Sequence, residues 1–62
     1  MSGAEDALGR AEELLDRLEQ ARGRLESVED PEAAIDILGE LAELARQVEA
    51  ELEQARREAG AQ

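Results

Sequence analysis

Ser27-Val28-Glu29-Asp30-Pro31-Glu32 lies near the middle of the 62-residue chain, and its reading decides the fold. Pro31 is the only proline. The residue before a proline is pushed out of the helical region, so a helix arriving from the N-terminal side ends before Asp30. Proline itself suits the first position of a helix, where its missing N–H would have had no partner anyway. Asp30 is a favoured cap for such a helix, because its carboxylate accepts the unpaired N–H groups of the first turn. One helix therefore stops here and a second of similar length begins, across a connection at Glu29-Asp30.

Working outward, the spacing predicts a first helix over about residues 3–28. Ser2 to Glu5 reads S-x-x-E, the pattern of a reciprocal N-terminal cap. Ala4, Leu8, Ala11, Leu15, Leu18 and Leu25 recur at helical spacing, with a neighbouring row at Ala7, Leu14, Ala21 and Val28. The second helix is predicted over about residues 31–59. Its seam reads Ala34, Leu38, Leu41, Ala45, Val48, Leu52, Ala55 and Ala59, flanked by Ile35, Ile37, Ala42 and Leu44. Gly60 is placed to terminate it, and Arg56 and Arg57 suit the negative end of its dipole. So short a connection makes the helices antiparallel. The expected register sets Leu25 near Ala34, Leu18 near Leu41, Leu15 near Ala45, Ala11 near Val48 and Leu8 near Leu52. The fold class is all-α: a coiled-coil-like, two-helix antiparallel hairpin.

A hairpin of two helices is expected to leave Leu14, Ile37 and Leu44 uncovered, which a second hairpin in a four-helix bundle, or a larger protein, would repair. Leu14, Ile35, Ile37, Leu38 and Leu44 are thus the candidate interface. Arg22 interrupts the first seam, either as a partner-selecting charge or with its stem lying over apolar surface.

Composition removes most chemistry. The sequence has no Cys, His, Lys or aromatic residue, and all seven cations are Arg. Disulfides, thiolate and imidazole metal ligands, the usual general base and base-stacking platforms are all missing. The acidic residues form no calcium loop, and no Glu-x-x-His motif of a di-iron bundle is present. No nucleophile has a His, and no glycine-rich phosphate loop exists. The expectation is a protein that is not an enzyme, with no catalytic, cofactor or metal residues. A net charge of −10 repels nucleic acid and anionic lipid and favours basic partners. No apolar run reaches the roughly 18 residues of a membrane span, and the N-terminus has no leader pattern, so the expected location is cytoplasmic.

Glu32 to Arg46, followed by Leu52-Glu53-Gln54-Ala55, resembles the second helix of exodeoxyribonuclease VII small subunits. Glu5-Asp6-Ala7-Leu8 with Glu12 to Glu19 resembles their first helix. The resemblance implies a non-catalytic hairpin that binds a large nuclease subunit in several copies, with Leu14, Leu18, Leu38, Leu41 and Leu44 in contact. From the residues alone, the leading expectation is a helical interaction module. Its partner is a second copy, a dimer being favoured, or a larger protein subunit. The alternative is an acidic decoy that occupies a basic protein surface, whose affinity would collapse with salt.

Overall fold

The computed structural model describes residues 2–60 and is all-helical, with two helices packed against each other. Helix α1 spans Gly3–Ser27 and helix α2 spans Pro31–Gly60. Ser2 caps α1, its hydroxyl oxygen accepting from the Glu5 N–H at 3.1 Å. At the other end Val28 leaves the helix in an extended conformation, with φ −77° and ψ 140°. Its N–H still donates to the Leu25 carbonyl at 3.4 Å. Asp30 then caps α2. Its carboxylate accepts from the Ala33 N–H and its carbonyl from the Ala34 N–H, both at 3.0 Å. Gly60 is the last residue of α2; the two positions beyond it lie outside the described residues.

Removing the cap leaves a first-turn donor without its partner, so Asp30→Ala is expected to cost about 1 kcal/mol and Asp30→Asn only a small part of that. The urea midpoints of the two variants measure this. Equal midpoints would show that the cap contributes nothing.

Ion pairs between the helices report the register. Arg10 Nε donates to Glu51 at 2.9 Å, and Arg24 donates to Glu40 at 2.6 Å. A side chain added at Gly3 would collide with the Glu58 carboxylate. The helices run antiparallel, and these pairs set the register slightly to the C-terminal side of the expected one, while Val28 joins Glu29 and Asp30 in the non-helical turn.

The seams also differ from expectation. Ala4, Ala11, Leu18 and Leu25 are partly or fully buried, but the row between them that turns inward is Ala7, Leu14, Ala21 and Val28, not Leu8, Leu15 and Arg22. On α2 the inward residues alternate through Ala34, Ile37, Leu41, Leu44, Val48, Glu51, Ala55 and Glu58. Leu38, Leu52, Ala45 and Ala59 face away. The cause lies in α1. Burying the Leu8 row would carry Arg22 into the interface and strip its guanidinium of water. Turning Ala21 inward avoids that, and α2 answers with Ile37 and Leu44. The corresponding cost falls on Glu51 and Glu58, which reach the seam near the open end but remain partly solvated.

Leu14, Ala21, Leu44 and Val48 form the core, with Leu18, Ile37 and Leu41 packed against it. Bulk is graded along the hairpin. Large aliphatics fill the seam from the turn to Leu14 and Val48, while the open end is lined by Ala4, Ala7, Ala11 and Ala55. Among the described residues no large side chain is fully buried, as expected of a single layer 49 Å long, 15 Å wide and 10 Å thick. No described helix is long and apolar enough to cross a membrane.

Gly39 sits in the middle of α2 on the solvated side, and a Cβ there would meet open space. Gly39→Ala is expected to raise stability by about 1 kcal/mol through helix propensity. A lower thermal midpoint for this variant would show that the missing side chain serves a contact outside the hairpin.

Candidate interaction surface

The two broad sides of the hairpin are chemically different, and heptad spacing makes them so. On one side Arg10, Arg17 and Arg24 follow each other at seven-residue steps along α1. Glu51 and Glu40 answer two of them across the interface. Arg10, Glu13, Leu14, Arg17, Gln47 and Glu51 line a shallow groove there. Glu51 is the more enclosed partner, with 23% of its side chain exposed. This side is polar and its charges are partly neutralised within the chain.

The opposite side is apolar. Leu8 and Leu15 project from α1 at a seven-residue step, as do Leu38, Ala45, Leu52 and Ala59 from α2. Leu8, Leu15, Leu38 and Leu52 retain between 46% and 52% of their surface, and Ile35, on the outer edge of the same side, retains 67%. Single exposed aliphatics are ordinary on a protein surface, but an aligned row of them along one side marks an interaction surface. Helices that carry a second apolar stripe are built to contact a second neighbour.

Arg22 closes the row at the turn end. Its Nε donates to the two oxygens of Glu19 at 3.0 and 3.1 Å, and a terminal nitrogen donates to Glu26 at 2.8 Å. These hydrogen bonds hold the Glu19 carboxyl below its ordinary value of 4.5 and raise the guanidinium further. Glu43 is lowered likewise by its hydrogen bonds from Arg46 and Gln47. A lowered carboxyl stabilises the folded state above its ordinary value and loses that contribution as pH falls through the lowered one. All of these groups are exposed, so the contribution is small.

The residues proposed from sequence as an interface divide into three groups. Leu14 and Leu44 are buried inside the hairpin. Leu18, Ile37 and Leu41 are partly buried against that core. Ile35 and Leu38 are exposed. The expectation that Leu14, Ile37 and Leu44 stay uncovered is therefore corrected: α1 and α2 cover them mutually. Leu8, Leu15 and Leu52, assigned from sequence to the seam, are the residues left open. Comparison with protein-family models, curated proteins and solved structures gives no match.

Arg10 reaches across to Glu51 on the other helix rather than to a carboxylate of its own helix. The signal was present in the seven-residue repeat of Arg10, Arg17 and Arg24 opposite Glu40 and Gln47. Charges flanking a coiled-coil seam at that step pair across it. Glu53 does hold both Arg56 and Arg57, the latter at 3.9 Å.

Proposed function

We propose that this chain is a non-catalytic helical interaction module that works by burying its apolar side against another helical surface. The carrying observation is the aligned row Leu8, Leu15, Leu38 and Leu52, each about half exposed. The assembled form is a four-helix bundle with a second copy or a docked small subunit on a larger protein, within the cytoplasm. The resemblance to exodeoxyribonuclease VII small subunits places a large nuclease subunit among the candidate larger partners.

The test compares the two sides in the intact cell. A photo-reactive side chain is installed at Leu15 on the apolar side or at Arg17 on the ion-pair side. The expected result is protein adducts, whether with itself or another chain, from position 15 and few from position 17. Adducts from neither position, or equally from both, overturn the reading.

A second use is favoured by one observation. Glu5, Glu12, Glu19 and Glu26 form an exposed carboxylate column on α1, next to the apolar row. A basic protein surface would fit that column, and its binding would weaken steeply as salt is raised, whereas apolar burial would not.

A further inference from the structure

We propose that the apolar side is covered by a second copy of this chain, packed face to face about a two-fold axis parallel to the helices, so that α1 of each copy lies on α2 of the other. This deepens the interaction reading and depends on it.

The first argument is area. The broad face measures 49 by 15 Å. In projection such a face is of the order of 700 Å², and two of them together match the scale of the roughly 1,200–2,000 Å² that stable specific interfaces bury. A single hairpin of this size, with no cysteine and, among the described residues, no cluster of metal-binding side chains and no fully buried large side chain, lacks the core that small folds need, and association is the remedy left to it.

The second argument is charge, and it selects the arrangement. Two symmetric pairings of identical faces keep every neighbour antiparallel. One sets α1 on α1 and α2 on α2; the other sets α1 on α2. In the first, the carboxylate column of α1 meets its own copy along its whole length, and like charges in contact are repulsive. In the second, that column meets Ile35, Ala42, Glu49 and Arg56 of the second copy.

An axis parallel to the helices preserves height, so residues level within one hairpin are level between copies. Arg10 is level with Glu51, and therefore Glu5 is level with Arg56. Arg56 is exposed and held by Glu53, within reach of an opposing carboxylate. Arg22, at the turn end of the covered row, keeps its own counter-charges there, bonded to Glu19 and Glu26 at the exposed edge of α1. Glu12 opposite Glu49 is the one level at which like charges meet uncompensated.

The same rule brings Leu8 within about one residue of Leu52 in height, and Leu15 within about one residue of Ala45. Large residues then meet large at the end and small at the centre, and the alanine-lined open ends of the two copies coincide. The alternative pairing would lay the bulky turn end of one hairpin over the thin open end of the other, a poorer match of shape.

The absence of native cysteine makes the arrangement directly readable. Two purified chains carry L15C or A45C and are treated, alone and mixed, with a short bismaleimide. The mass of the unmodified chain is followed by light scattering across a micromolar dilution series. The expected results are twice the 6.7 kDa chain mass, strong cross-linking in the mixture, and little in L15C alone. A monomer, or an assembly larger than two, overturns the inference. Efficient L15C self-linking, indicating α1 on α1, overturns it too. A monomeric purified chain whose position 15 still captures another protein in the cell would sink the second copy and leave the interaction reading standing. A chain without adducts or self-association would sink both.

Discussion

Leu44→Ala is expected to abolish most of the helical signal at 25 °C. Leu44 is a buried member of the core, grouped with Leu14, Ala21 and Val48. Truncating a buried leucine to alanine removes its transfer energy and leaves a cavity, at a cost of about 2–5 kcal/mol. A small single-core domain rarely holds more than about 3–5 kcal/mol in total, so one such loss consumes most of the margin. Leu38→Ala is the control. It removes the same atoms from the neighbouring turn, but Leu38 is half exposed in the hairpin. Circular dichroism with urea titration, at a chain concentration where light scattering reads a single hairpin, separates the two. If Leu38→Ala proved as damaging as Leu44→Ala within the isolated hairpin, the assignment of the inward row would be wrong.

The second large effect has the opposite sense, adding bulk where there is little. Ala7 has no exposed surface, and the apolar residues that share the open end with it in the seam, Ala4, Ala11 and Ala55, are all small. Small residues let helices approach closely, and an inserted leucine has no space to enter. Ala7→Leu is expected to cost about 1–3 kcal/mol through overpacking. The damage should be local. Amide exchange should accelerate across the first turns of α1 and the last turns of α2, while the amides around Leu18 and Leu44 keep their protection. An unchanged or raised urea midpoint would mean that the open end has room, and the alanine row would then mark loose rather than close packing.

The architecture was legible in the sequence because its signals were local. Asp30-Pro31 needed nothing beyond backbone sterics and a cap, and both act as expected. The facing rows were ambiguous because each helix carries two apolar rows one residue apart, sharing Ala4, Ala11, Leu18 and Leu25 on α1. Judged helix by helix, α2 looks better with Leu38, Ala45 and Leu52 inward, since the other choice brings Glu51 and Glu58 to the seam. That local preference loses to a condition on the pair: α1 cannot turn Leu8 and Leu15 inward without Arg22, and a hairpin must face both helices from the same side. The candidate surface was legible only in part for the same reason. Leu38 and Ile35 were read as available, whereas Leu8, Leu15 and Leu52 were placed in the seam and Leu14 and Leu44 outside it. Arg22 shows the limit most clearly. Its fork onto Glu19 and Glu26 satisfies it on its own helix, so it contributes neither to register nor to partner choice within the hairpin.

The grading of bulk from the turn to the open end also orders events in time. The largest side chains lie closest to the turn along the chain, where closing a loop costs the least entropy. The layers nearest the turn close after only a short excursion, and each later layer is joined to one already formed. Contacts of short sequence separation form first and favour fast folding. The hairpin is thus built to close from Pro31 outward like a zip, and to open in the reverse order. The alanine-lined end, where Glu58 lies against Gly3, should be the last part to form and the first to fray.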